Sequence, residues 1–312
     1  MPAQIRDICT PLPGAVPPEV FFGYLVQDSN RIAYCMSNCM ALERPGLLVS
    51  DGSVTVTRDG AVLRIVLDRP SRRNSLDHTM VSELVTTLTA AASDDSLRAV
   101  SLSGAGEHFC TGSDWVATNS SGHRPRTGDL VRRVPHAAHR IVELVATIQL
   151  PVVCTVRGWA VGLGCNLALA ADFTVADADA TFWEPFLSRG FSPDSGATWL
   201  LPRLAGLTRA KQMLLLGEKV SGTEAADWGL IHGAVPAAEL ETAAEDLIDR
   251  LASGPTVAIG LAKQAIAFGQ HATLIQSMNQ ELSNLELSCR THDFKEGLAA
   301  FRERRDPDFQ GR

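Results

Sequence analysis

The stretch Arg157-Gly158-Trp159-Ala160-Val161-Gly162-Leu163-Gly164-Cys165-Asn166-Leu167-Ala168-Leu169-Ala170 decides the fold of this 312-residue chain. An apolar run over residues 151–156 leads into it, and the residues that follow favour a helix. A β-branched run bounded by glycine is typical of a buried strand, and glycines between strand and helix allow a tight turn. The first N–H groups of a helix, supported by the helix dipole, stabilise a negatively charged oxygen. The stretch therefore predicts an anion or oxyanion site or, alternatively, a corner that only packs a helix against a strand.

A second glycine-rich loop covers residues 104–115 and contains Phe109-Cys110-Thr111-Gly112-Ser113-Asp114. It also follows an apolar strand pattern, at residues 98–102. Two loops of this kind can each direct one backbone N–H at a shared oxygen. A dinucleotide fingerprint fits poorly, because Leu167 stands where the third glycine of that motif should be.

Four motifs in this order resemble the crotonase family, the enoyl-CoA hydratases and isomerases. They are the segments 68–76 and 109–114, the central stretch from Gly158 to Ala168, and residues 194–203. The segment Trp199-Leu200-Leu201-Pro202-Arg203 most resembles the isomerases of phenylacetate degradation. The resemblance covers roughly residues 53–312. It implies an enzyme of fatty acid metabolism that acts on an acyl-CoA thioester.

The resemblance also implies an α/β fold, a crotonase-like spiral of ββα units with a C-terminal helical region. We expect three parts: a flexible N-terminal extension over 1–50, a crotonase-like core over 51–235 and a helical trimerisation region over 236–312. The extension is rich in proline and precedes every family motif, so Met36 and Met40 are alternative starts. A homotrimer or hexamer is implied by the family alone.

In this family the thioester carbonyl lies between two backbone N–H groups, and the matching donors here are Thr111 and Leu163. Leu163 stands where glycine is usual, although a backbone donor tolerates a side chain if its conformation is kept. The matching positions around the substrate and its coenzyme A are Arg72, Arg73, Ser75, Cys110, Ser113, Asp114, Gly162, Asn166 and Phe186. Further walls of the acyl pocket are expected from Trp115 and residues 118–128.

Hydratases of the family use two glutamates, but this chain has Asn166 and Phe186 at those positions, and neither can act as an acid or base. Family members that shift a double bond often carry a working aspartate at the position of Asp194, so the resemblance implies that Asp194 is the base of a double-bond isomerase. Two alternatives concern single residues: Ser192 could cap a helix with Asp194 in its first turn, and Glu184 could be a displaced catalytic glutamate. The alternative functions are hydration of an enoyl-CoA and binding of an acyl-CoA without catalysis.

Composition bears on the binding partners, the cellular compartment and the cofactors of the protein. The net charge of −7 and the lack of a long basic stretch argue against nucleic acid as a partner. The seven cysteines are scattered and odd in number, which is typical of a reducing compartment, here the cytoplasm. Cys35 and Cys39 have no second pair to complete a metal site. We expect no metal, no membrane span, and no cofactor other than the coenzyme A of the substrate.

Local signals predict the secondary structure around these motifs. Asp59-Gly60 joins two strands in a hairpin, and a helix follows Asp77. A continuous amphipathic helix is predicted from Leu130 to Ile148. Ser221 and Glu224 have the spacing of a capping box. Only helices are predicted after Pro236, at roughly 237–252, 255–269, 274–290 and 291–305.

Overall fold

The computed structural model describes residues 51–114 and 127–312. The predicted N-terminal extension, with Cys35 and Cys39, lies outside the described residues, as do Trp115 and most of the predicted pocket segment 118–128. The strands are β1 (Ser53–Asp59), β2 (Val62–Asp68), β3 (Ala99–Gly104), β4 (Val152–Val156), β5 (Trp159–Val161), β6 (Phe173–Asp177), β7 (Thr181–Trp183), β8 (Lys219–Ser221) and β9 (Gly233–Val235).

The helices alternate with these strands in the first two thirds of the chain and then continue alone. They are α1 (His78–Ala91), α2 (Asp129–Arg133), α3 (Ala138–Thr147), α4 (Leu163–Ala170), α5 (Ala197–Lys211), α6 (Gly222–Asp227), α7 (Leu240–Ala252), α8 (Thr256–Gly269), α9 (Leu274–Ser288) and α10 (His292–Glu303). None of the helices in the described ranges has the length and apolar character needed to cross a membrane.

Two sheets organise the core. The larger has six strands in the order β1-β2-β3-β4-β6-β9, and the smaller has the order β5-β7-β8. The β1–β2 pair is the predicted hairpin, and the other neighbours in the larger sheet are parallel. Strands β2 to β4 are largely buried, because α1, α3 and α4 cover them with apolar side chains. Strand-strand-helix units recur, as β1-β2-α1, β4-β5-α4 and β6-β7-α5.

Helix ends follow local chemistry. Asp77 caps α1 by accepting from the Met80 N–H at 2.9 Å. Ser221 and Glu224 form the predicted capping box at the start of α6. The four C-terminal helices lie within a few residues of their predicted bounds. Each of these signals is a short-range hydrogen bond or turn, which the sequence encodes directly.

The continuous helix predicted over 130–148 is wrong. Helix α2 ends at Arg133, a 3-10 turn covers Val134–His136, and α3 begins only after Ala137, whose φ/ψ of −127°/−99° is not helical. Pro135 lies in this 3-10 turn, two residues before the break, and it lacks the N–H that would bond back to residue 131 in a continuous helix. The break bends this segment beside the candidate site.

Candidate functional site

The two glycine-rich loops meet as predicted. The Cys110 N–H donates to the Trp159 carbonyl at 2.9 Å, and the Val161 N–H donates back to the Cys110 carbonyl at 2.9 Å. A Cβ added to Gly112 would lie 2.7 Å from the Val161 carbonyl oxygen, and one added to Gly164 would lie 2.3 Å from that of Cys110. Glycine at these positions allows the two backbones to contact each other directly.

One predicted donor of the oxyanion site is wrong. The Thr111 N–H already donates to the Arg73 carbonyl at 3.1 Å, so it is not available for a ligand. Gly112 has φ of 86°, and this left-handed conformation changes the direction of the amides that follow. The sequence match placed the donor two residues too early because it could not show this reversal.

Ser113 supplies the amide that Thr111 cannot. Leu76 occupies the backbone groups on either side of it, donating to the Gly112 carbonyl at 2.8 Å and accepting from the Asp114 N–H at 2.9 Å. The Ser113 N–H therefore faces the opposite edge, and within residues 51–114 and 127–312 it has no acceptor. Ser113 and Leu163 line one cavity.

Leu163 is the first residue of α4, so its N–H has no intrahelical acceptor. The unusual backbone belongs to the residue before it, since Gly162 has φ of 54° and ψ of −121°. Leu163 itself is helical and its side chain is buried. A leucine is tolerated there because glycine is required only at 162.

The third component of the site is the loop after β7. Asp194 is half-buried and lines the cavity together with Ser113, Leu163 and Phe186. Its Oδ1 accepts from the Ser195 hydroxyl at 2.7 Å, and the Ser195 N–H donates to Nε2 of His139 at 3.3 Å. Ser195 has φ of 54°, which is uncommon for a residue other than glycine and is a form of strain found at functional sites.

The alternative that Ser192 starts a helix is wrong. Helix α5 begins at Ala197, and its N-cap is Gly196, which has no capping side chain. Asp194 therefore precedes the helix and is not in its first turn. Its carboxylate lies in the cavity without a capping role.

Of the residues at the two glutamate positions, Phe186 lines the cavity and Asn166 does not. Phe186 is buried and packs edge-on against Phe191, with ring centroids 5.6 Å apart. Asn166 is fully buried, and its Nδ2 donates to the Gly162 carbonyl at 3.1 Å. Its position does not match the predicted contact with substrate, because Asn166 is hydrogen-bonded to the Gly162 turn and does not line the cavity.

Of two further predicted contacts, Cys110 lies behind the surface, whereas Asp114 lines the neighbouring cleft. Cys110 is fully buried, its Sγ accepts from the Gly112 N–H at 3.4 Å, and burial raises the pKa of its thiol to about 12. Its side chain is thus a packing group, while its backbone joins the loops. Asp114 receives Nη1 of the buried Arg69 at 2.8 Å and stabilises the first loop.

A cleft with a volume of about 800 Å³ adjoins the cavity. Arg72, Arg73 and Arg189 line it, together with Ser75, Trp159 and Trp183. Arg73 has no acidic partner in the described ranges. Asp114 also lines the cleft, and Arg72 lies 3.8 Å from the Asp51 carboxylate, but the three arginines leave the lining with an excess of positive charge, which a polyanionic ligand requires.

A separate apolar pocket lies on the other side of Asp194. Leu76, Val81, Leu130 and Val134 line it, and Asp194 is at its border with the donor cavity. The break at Ala137 contributes to the same pocket. The arrangement can hold a polar carbonyl between two amides, an apolar chain beyond it and a charged tail in the cleft.

Comparison with known proteins agrees with this geometry. The family model described as "Enoyl-CoA hydratase/isomerase" matches residues 57–312. The 1,2-epoxyphenylacetyl-CoA isomerase of Escherichia coli is 38% identical, covering 80% of this chain and 95% of that protein. The 2,3-dehydroadipyl-CoA hydratase of the same organism is 32% identical, over 82% of this chain and 98% of that protein.

A solved structure gives the fold. The enoyl-CoA hydratase of Bacillus anthracis has a TM-score of 0.77 at 33% identity, with 83% of this chain and 99% of that chain covered. The predicted spiral of ββα units with a C-terminal helical region is thereby confirmed.

Proposed function

Because this chain belongs to the enoyl-CoA hydratase/isomerase family, a family of acyl-CoA enzymes, we propose that it moves a double bond along an acyl-CoA. Asp194 is the base, and the amides of Ser113 and Leu163 hold the thioester oxygen. One observation carries this proposal: in the described lining of the donor cavity, Asp194 is the only carboxylate.

The reaction follows from the positions of these groups. With a 3-enoyl-CoA, the Asp194 carboxylate removes a proton from C2, next to the thioester carbonyl. The electron pair spreads into a dienolate, whose negative oxygen receives both amide N–H groups. Asp194 then returns the proton to C4, and the product is the 2-enoyl-CoA. No water and no electrons are exchanged with the surroundings, so the proposed reaction needs no cofactor.

A carboxylate base and two oxyanion donors each make a known contribution to the rate of such a reaction. A positioned acid or base contributes about 10²–10⁴-fold to a rate. One oxyanion donor contributes about 10²–10³-fold. Both contributions depend on preorganisation, and here the donors are fixed by backbone contacts between the two loops.

The coenzyme A part of the substrate is assigned to the basic cleft. Arg72 and Arg73 lie at its edge and are candidates for its phosphates, because guanidinium groups bind phosphate oxygens in a paired geometry. The tryptophans supply an apolar side for the pantetheine and base. The acyl chain then extends past Asp194 into the apolar pocket.

Hydration is the second candidate, since a related protein is named a hydratase. Hydration needs a group that activates water and a group that delivers a proton. Glu184 does not line the cavity and is fully buried, so the structure does not support its use as a displaced catalytic glutamate. This favours the single-carboxylate reaction.

The test uses a 3-enoyl-CoA and its 2-enoyl isomer, followed by chromatography and mass spectrometry. We expect interconversion of two compounds with the same mass. The Asp194→Asn variant should lose about 10²–10⁴-fold in kcat while its affinity for acyl-CoA changes little. A product that has gained water would identify a hydratase, and binding without any reaction would identify a catalytically silent acyl-CoA binder.

We also propose self-association through the C-terminal helices, as a trimer or hexamer. Large apolar side chains are exposed along α8 to α10, including Ile266, Leu274, Leu282 and Phe301. Phe301 is 83% exposed. An exposed apolar surface of this kind is typical of a protein interface. Light scattering on a size-exclusion column measures the oligomeric state.

The cytoplasm is the proposed compartment. Cys110, Cys154 and Cys165 are free thiols in the core, and burial raises the pKa of each. Such cysteines behave as small apolar groups. Fractionation of cells that express the native gene tests this location.

A further inference from the structure

A buried acidic group directly precedes two residues that line the donor cavity, Pro185 and Phe186, and has no role in the proposed reaction. Glu184 follows β7 and has no exposed surface. Neither of its carboxyl oxygens has a hydrogen-bond partner among the described residues. Oδ1 of the fully buried Asn166 is likewise without a partner in the described part of the chain. Buried polar atoms without partners are rare and costly, so this group calls for a physical explanation.

The surroundings of Glu184 favour its neutral form. The groups that influence its carboxyl are the Cys165 thiol, the Asn166 side chain and the negative charge of Asp194. None of them is a cation. Burial has the largest effect, and with the charge of Asp194 it raises the pKa of Glu184 well above its ordinary value, although the nearby Cys165 and Asn166 side chains act in the opposite direction.

A neutral Glu184 can form a hydrogen bond with Oδ1 of Asn166, which the ionised form cannot. The oxygens of an ionised carboxylate and Oδ1 of an asparagine are all acceptors, so they cannot bond to each other. A protonated carboxyl has one O–H donor, and Oδ1 of Asn166 is the buried acceptor that lacks one. Neutral Glu184 also adds no repulsion to the carboxylate of Asp194.

Asn166 connects this group to the oxyanion site. Its Nδ2 donates to the Gly162 carbonyl at 3.1 Å, and the Gly162 N–H donates to the carbonyl of Trp183 at 2.9 Å. Trp183 directly precedes Glu184, so the two contacts enclose the Gly162 turn between β7 and α4. That turn sets the direction of the Leu163 N–H.

We propose that Glu184 is a positioning residue: as a neutral acid it donates a hydrogen bond to Oδ1 of Asn166 and so fixes the turn that carries the Leu163 donor. This inference rests on the proposed function for its catalytic consequence. Its structural part, a protonated buried acid, stands independently of the reaction.

The first test compares Glu184→Gln with Glu184→Met. Glutamine keeps a neutral side chain whose N–H can donate to Asn166, and its kcat should lie within about threefold of the unsubstituted enzyme. Methionine has a similar length without a donor, and its kcat should fall at least about tenfold, because a donor displaced by 1 Å costs up to about 10²-fold. The KM for acyl-CoA should change less than threefold in both. Glu143→Gln, at an exposed site on α3, is the control.

The second test measures unfolding by urea between pH 5 and 8 and needs no catalysis. A group whose pKa is raised on folding stabilises the fold fully below its unfolded pKa, and this stabilisation is lost as the pH rises toward the folded pKa. The unfolding constant of the unsubstituted enzyme should therefore rise relative to Glu184→Gln, by up to about tenfold per pH unit. Glu143→Gln should show no such divergence.

The outcomes separate the proposals. A pH-dependent divergence with an inactive enzyme would remove the isomerase function and keep the neutral Glu184. Parallel stability curves for Glu184→Gln and the unsubstituted enzyme would overturn the neutral acid. Equal losses of kcat in Glu184→Gln and Glu184→Met would show that the charge is needed, and unchanged kcat in both would show that Glu184 only fills space. If Glu184→Met does not fold, Asn166→Leu breaks the same link and should reproduce the loss of kcat.

Discussion

Gly164→Ala should disable the oxyanion site without touching a catalytic group. The added Cβ would lie 2.3 Å from the Cys110 carbonyl oxygen, 2.8 Å from the Cys110 Cβ and 2.9 Å from its carbonyl carbon. Ordinary contacts between such atoms are near 3.5 Å, so the two loops must separate by about 1 Å. Two of the three clashing atoms belong to backbone, which cannot rotate away as a side chain can.

This separation predicts two measurable effects. Overpacking of this kind costs about 1–3 kcal/mol of unfolding free energy, reduced by the roughly 1 kcal/mol that alanine gains over glycine within a helix. The same shift moves the Ser113 and Leu163 donors apart, and a misplacement of about 1 Å lowers kcat about 10²-fold. Urea unfolding and steady-state kinetics with an acyl-CoA measure the two effects separately.

Gly233→Ala is the matched control, because among the described residues no atom beyond its two chain neighbours lies within 4 Å of the added Cβ. It should keep both the stability and the kcat of the unsubstituted enzyme within about twofold. The reasoning is refuted if Gly164→Ala retains normal kcat, or if Gly233→Ala loses as much.

Three further predictions concern other parts of the molecule. Nζ of Lys263 lies 2.6 Å from Oδ2 of the largely buried Asp172, so Lys263→Met should lower the unfolding free energy by about 3 kcal/mol in urea titrations. Adding Asp172→Asn should restore part of this loss. An unchanged unfolding free energy in Lys263→Met would contradict the stabilising role of the pair. The double variant Arg72→Ala/Arg73→Ala should raise the KM for acyl-CoA roughly tenfold, which is the effect of one lost charged hydrogen bond. The KM for a thioester that lacks the nucleotide should not change. Equal increases in the two KM values would show that the phosphates bind elsewhere. Phe301→Glu should shift the light-scattering mass toward the monomer, and an unchanged oligomer would exclude α10 from the interface.

Sequence patterns predicted those features that depend on neighbours along the chain. The cap at Asp77, the capping box at Ser221 and the hairpin at Asp59-Gly60 are all complete within a few residues. Gly162 was recognised as part of a tight turn for the same reason. Such features need no knowledge of the rest of the fold.

The errors arose where the path of the backbone decides the result. The sequence match gave Thr111 as a donor, and only the backbone reversal at Gly112 shows that the Ser113 amide is the one left free for a ligand. The helix predicted through Pro135 has the correct apolar period, but the backbone break overrides it. Glu184 was considered as a catalytic group because its complete burial cannot be predicted from the residues next to it in the sequence.

The measurement that tests the central claim most directly is deuterium uptake from heavy water by a 3-enoyl-CoA. We predict deuterium at C2 of recovered substrate and at C4 of the product, with no gain of water, and at least about 10²-fold slower uptake in Asp194→Asn. Uptake that persists at the original rate in Asp194→Asn, or a product that has gained water, would contradict the assignment of Asp194 as the isomerase base.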